Sequence, residues 1–134
     1  MTKRWPGQGM TNNANRKLQK LARDFFPNCP KLKKYVVTIT DELVAGSAEP
    51  KSKEIKISQE LFDQLSCGTL LPDHLACLLI HELCHIAGSL YHGLVWQNEY
   101  ERCLDIAKDR GLDRLCAFIE SDLRWYQDRR HLTR

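Results

Sequence analysis

Apolar positions along the chain switch period several times, and each switch predicts an element. From Asn13 to Phe26, Leu18, Leu21, Ala22, Phe25 and Phe26 recur at helical spacing, and Pro27 ends the run. The stretch KLKKYVVTIT is β-branched and aromatic, which predicts a strand over Tyr35–Thr40. A second short strand fits Leu43–Ala48, and EIKIS alternates as a third over Glu54–Ser58 after a loop containing Pro50. Close spacing of the three predicts an antiparallel meander.

Beyond the strands the period returns to that of a helix. Ser58 suits the N-cap of a short helix, SQELFDQL, whose buried side is Leu61, Phe62 and Leu65. Cys67, Gly68 and Thr69 interrupt it. Pro72 then suits a first helical turn, with Asp73 complementing the helix N-terminus. The helix that follows should end near Gly88, and Leu75, Leu78, Leu79 and Leu83 give it an apolar side. Two more helices fit Leu94 to Arg110, closed by Gly111, and Leu112 to Gln127. The fold class is therefore α+β, with a small sheet of about three strands packed on helices. Residues 1–12 read as a loose N-terminus and 13–134 as a single domain.

Composition changes this picture little. The chain has 134 residues, of which 43% are hydrophobic and 28% charged, the balance of a globular domain. No apolar run reaches the ~18–20 residues of a membrane helix. MTKRWPGQGM has charge but no apolar stretch behind it, so no secretory signal is read and a cytoplasmic location is expected. Six cysteines (Cys29, Cys67, Cys77, Cys84, Cys103 and Cys116) form no C-x-x-C pair. Reduced, largely buried thiols are the expectation, and zinc ribbons and fingers are excluded. The net charge is +3, with basic residues gathered at the ends: Lys3, Arg4, Arg16, Lys17 and Lys20, then Arg124, Arg129, Arg130 and Arg134. Such ends suit a DNA partner, although most clusters of this kind are solvated faces.

The candidate chemistry lies in HELCHIAGSLYHGLVWQ, positions 81–97. Residues i and i+4 share a helix face, so His81 and His85 can point at one tetrahedral zinc ion. Glu82 stands one step round the helix, where it can act as general base toward a water on that metal. This is the H-E-x-x-H arrangement of metallopeptidases. The competing reading packs the two histidines in an ordinary helix, at the cost of burying unpaired imidazoles. Gly88 lets the chain turn, so His92 can return as third ligand, leaving a fourth position for water. Glu99 and Glu101 are rivals for that third place. A metzincin pattern fails, because its third histidine would fall on Tyr91 and its methionine turn is missing downstream.

Other residues carry softer signals. The Tyr91 hydroxyl is a candidate oxyanion stabiliser, against the commoner packed or surface tyrosine. His74, about 10 Å upstream along the helix, is too far to share the metal. Cys84 sits off the ligand face. The strand Leu43–Ala48 is a candidate to pair with an extended substrate, against an ordinary edge strand.

The run His92-Gly93-x-x-Trp96, shortly after HELCH, resembles the SprT-like metallopeptidase domain, in which H-E-x-x-H is followed by an H-G-x-x-F/W element opening the next helix. The likeness covers roughly residues 15–110. It implies zinc held by His81, His85 and His92, Glu82 as general base, Trp96 as a packing residue and a protein or peptide substrate. The short interval between His85 and His92 is nearer to the related WLM-type domains, kin to Spartan-like DNA–protein crosslink proteases. A module of another class, in which zinc is only a structural staple and the basic ends hold DNA, is the alternative.

Overall fold

The computed structural model describes residues 8–41, 46–66 and 72–128. The elements run α1 (Gln8–Phe25), a short 3₁₀ helix (Pro30–Lys34), β1 (Val36–Thr40), β2 (Gly46–Glu49), β3 (Glu54–Ser58), α2 (Gln59–Ser66), α3 (Pro72–Ala87), α4 (Leu94–Asp109) and α5 (Asp113–Asp128). The α+β class is observed. Helix α1 starts ahead of the expected Asn13, so part of the stretch read as loose is helical, while residues 1–7 lie outside the described residues.

Helix α3 is the axis on which the rest is assembled. From Leu75 to Ile86 every side chain but Leu78 is buried, and Leu78 packs against the core from a partly covered position. A helix apolar on nearly all sides needs cover on all sides. Helices α1, α4 and α5 and strand β2 supply it. Ala14, Leu18, Leu21, Ala22 and Phe25 form the buried stripe of α1, spaced at three and four residues as one helix face requires. Arg102 of α4 donates from Nη1 to the carbonyl of Phe25 at 2.7 Å, satisfying an end of α1 that has no intrahelical partner.

The sheet corrects the expected antiparallel meander. Its order is β1-β3-β2. Strands β2 and β3 form the antiparallel hairpin, but β1 pairs with β3 in parallel, with Val37 opposite Ile55 and Ile39 opposite Ile57. The reason is burial: Ile55 and Ile57 are fully covered, so β3 belongs in the middle, while β2, with the small residues Gly46, Ser47 and Ala48, is left at an edge. Period-2 alternation is the same for parallel and antiparallel neighbours, so it carries no direction. Residues 42–45 of the expected second strand lie outside the described residues. At the other edge, Asn15 of α1 accepts a hydrogen bond from the Val37 N–H at 2.7 Å, which occupies one of that strand's outward-facing donors.

The helix boundaries follow local chemistry. Ser58 Oγ accepts from the Leu61 N–H at 3.2 Å, the N-cap expected for α2, and Phe62 is buried; the side chain of Leu65 lies outside the described residues. Helix α4 ends in a Schellman turn: Gly111 at φ +68° donates to the Lys108 carbonyl and Leu112 to that of Ala107. Four of the five described cysteines are buried, and all five are unpaired. Among the described residues, no helix is long and apolar enough to cross a membrane.

Candidate metal centre

His81 and His85 project from one face of α3, one turn apart, and their rings are 5.0 Å apart between centroids. After Ala87 the chain leaves the helix, and His92 stands two residues before α4. Its Nε2 lies 3.1 Å from His81 Nε2 and 3.0 Å from His85 Nε2. The three histidines are thus close enough to bind one metal ion. Two nitrogens each about 2.05 Å from a tetrahedral zinc stand about 3.3 Å apart, which is near the observed spacing.

The outer nitrogens determine which atom faces inward. His81 donates from Nδ1 to Asp122 Oδ2 at 2.7 Å, and His85 from Nδ1 to the Ser89 carbonyl at 2.8 Å. Each neutral imidazole has one proton, so both Nε2 atoms present lone pairs to His92. His92 has a single N–H at most and cannot satisfy both. The cluster therefore has a surplus of lone pairs directed at one point, which is the donor set a cation needs. Imidazoles that ligate metal are ordinarily held this way, by a carboxylate or carbonyl on the far nitrogen.

Charge in the surroundings agrees. Burial, followed by the neighbouring His85 and His81, lowers the His92 pKa to about 4, and burial also lowers that of His85. Burial alone would raise the Asp122 carboxyl, but hydrogen bonds from His81 and Tyr100 outweigh it and hold Asp122 below its ordinary value. The Tyr100 hydroxyl donates to the same Oδ2 at 2.8 Å and lies 3.0 Å from Cys77 Sγ. A buried chain of polar groups thus runs from the core to the ligand face.

Glu82 is 4% exposed, and its Oε2 lies 4.0 Å from His81 Nε2. Burial raises its pKa to about 7 against the lowering effect of His81. Strand β2 lies close beside it: a Cβ on Gly46 would stand 3.3 Å from Glu82 Oε2. Trp96 packs behind the cluster, fully buried, and donates from Nε1 to the His81 carbonyl at 3.1 Å.

His81, Glu82, His85, His92 and Trp96 therefore meet as the sequence predicts. The rivals for third ligand do not join them: Glu99 pairs with Arg102 at 2.9 Å and Glu101 accepts from Gln127 at 3.0 Å. Tyr91 is 82% exposed, and the structure does not bring it to the histidines. The short 88–93 connection turns it outward and brings His92 Nε2 back to His81 and His85. His74 lies against Phe118, with ring centroids 3.9 Å apart and planes tilted by 35°. Cys84 is buried against Cys103, off the ligand face.

Sequence reasoning missed Asp122 and Tyr126 of α5. The Tyr126 ring lies parallel to that of His92, 4.0 Å between centroids at 13°. Their spacing of four residues is a weak signal of a shared face, and nothing local says which helix that face meets. Comparison of the chain with protein-family models, with curated proteins and with solved structures finds no match. The functional reading therefore stands on the site's own geometry and chemistry.

Proposed function

We propose that the chain is a zinc-dependent metallopeptidase of the SprT-like type, in which His81, His85 and His92 hold zinc and Glu82 is the general base. One observation supports this reading above the others: three imidazole Nε2 atoms converge beside a buried carboxylate that is not itself one of the three. A structural zinc site completes its coordination with a fourth protein ligand, whereas a catalytic one uses three and keeps a position for water. When bound, zinc would supply Lewis acidity, polarising a peptide carbonyl, bringing the pKa of the attacking water toward about 7 and favouring the ionised form of Glu82.

The chain's own groups do the rest. Glu82 takes a proton from the water and returns it to the leaving amine. Asp122 and the Ser89 carbonyl keep His81 and His85 in the tautomers whose Nε2 faces inward. The edge strand β2 passes beside Glu82, so an extended polypeptide paired with that edge runs past the site.

Glu82→Gln tests the proposal. The variant should keep its metal and cleave casein about 10²- to 10⁴-fold more slowly, the usual weight of a general base. A wild-type chain that carries zinc yet leaves casein and unfolded polypeptides intact would favour the non-catalytic module.

A further inference from the structure

The three imidazoles are not held by the same means. Asp122 fixes His81 and the Ser89 carbonyl fixes His85, each through Nδ1. His92 stands in the irregular stretch between α3 and α4, and no hydrogen bond to its Nδ1 occurs among the described residues. Gln97 donates to its backbone carbonyl at 3.0 Å, which anchors the main chain but does not reach the ring. The preceding loop residues give no packing either, since Leu90 is 58% and Tyr91 82% exposed. What borders the ring is aromatic. Tyr126 lies flat against one face, and Trp96 meets it edge-on at 4.7 Å and 85°.

We infer that Tyr126 is the positioning residue for the third metal ligand, its ring holding the His92 imidazole in the orientation that points Nε2 at His81 and His85. The inference rests on reading the histidines as a metal centre, not on peptide cleavage. Two physical effects act in the same direction. An imidazole with free χ1 and χ2 must be frozen when it ligates, and a ring already stacked has lost that freedom beforehand. An imidazole that gives its lone pair to a dication also becomes electron-poor, and the electron-rich face of a phenol attracts it more strongly than it attracts the free ring. The stack therefore favours the metal-bound state over the free one, which is what raises affinity.

Tyr126 follows Asp122 by one helical turn, so a single face of α5 serves two of the three ligands. Metal binding and the docking of α5 are then linked: whatever fixes α5 improves the site, and the metal in turn stabilises α5.

The test uses the full chain, zinc affinity by chelator competition and the visible spectrum of the cobalt(II)-loaded protein. Tyr126→Phe keeps the stack and should bind zinc within about twofold of wild type. Tyr126→Leu keeps an apolar filler under α5 but cannot stack; it should bind about tenfold more weakly and change the intensity of the cobalt bands. A purely structural role would lower the melting temperature without altering the cobalt spectrum. Tyr126→Leu with wild-type affinity and spectrum would overturn the inference, as would Tyr126→Phe as weak as Tyr126→Leu, which would shift the effect to the hydroxyl. The expected variant pattern in a chain that cleaves no peptide would support the positioning role while ending the peptidase reading. A wild-type chain that takes up neither zinc nor cobalt would end both.

Discussion

His81 Nδ1 lies 2.7 Å from Asp122 Oδ2, forty-one residues further along the chain. This contact ties the helix bearing His81 and His85 to the last helix described. It also decides which His81 nitrogen is free to ligate, because Asp122 stays ionised and accepts the Nδ1 proton.

Removing the charge at Asp122 should loosen the metal without dissolving the fold. Asp122→Asn keeps the shape and can still accept through its amide oxygen, but it loses the charge that both His81 and Tyr100 use. Zinc affinity should fall about 10- to 100-fold, the usual cost of losing a partner behind a ligand. Chelator competition alongside circular dichroism measures this. Unchanged affinity in a folded variant would show that the contact plays no part in metal binding.

The turn after α3 should tolerate no side chain. A Cβ on Gly88 would stand 2.9 Å from the Cys84 carbonyl and 3.3 Å from that of Val95, both backbone atoms that cannot swing away. Gly88→Ala should destabilise the chain by about 1–3 kcal/mol, and thermal unfolding should occur several degrees lower. Because the strain falls on the α3–α4 connection that carries His92, metal affinity should drop as well. A variant with the melting point and zinc affinity of wild type would show that the connection yields freely.

The buried thiols give a pH dependence. Burial pushes Cys77 up to about 12 and Cys84 well above its ordinary value. A folded-state pKa above the unfolded one, about 8.5 for a thiol, adds stability that is complete below pH ~8.5 and is lost as pH rises toward the folded value. The native chain should thus weaken progressively above pH ~8.5. Iodoacetamide at pH 8 should spare Cys77 and Cys84 while labelling the half-buried Cys29. Mass spectrometry after digestion reads the pattern, and rapid native labelling of Cys77 would contradict the burial argument.

Legibility in the sequence followed the range of the interactions. The α3 motif was readable because His81 and His85 are related by one helical turn, and His92 because a short connection leaves few places to go. Strands were readable from β-branched content over Tyr35–Thr40 and from alternation in EIKIS, but the direction of β1 was not, since local pattern does not say that β3, with Ile55 and Ile57 buried, takes the central place. Asp122 and Tyr126 were invisible for the same reason. An aspartate and a tyrosine four apart on an amphipathic helix are ordinary surface chemistry until α5 packs on α3. Tyr91, weighed as an oxyanion stabiliser against an ordinary surface tyrosine, is the latter by its exposure.

Zinc per chain in protein purified without added metal, for wild type and for His92→Ala, bears most directly on the three-histidine centre. Elemental analysis should find one zinc per wild-type chain and a clear loss in the variant, because two imidazoles on one helix face hold zinc far more weakly than three. Full zinc in His92→Ala, or none in the wild type, would contradict the site described for this chain.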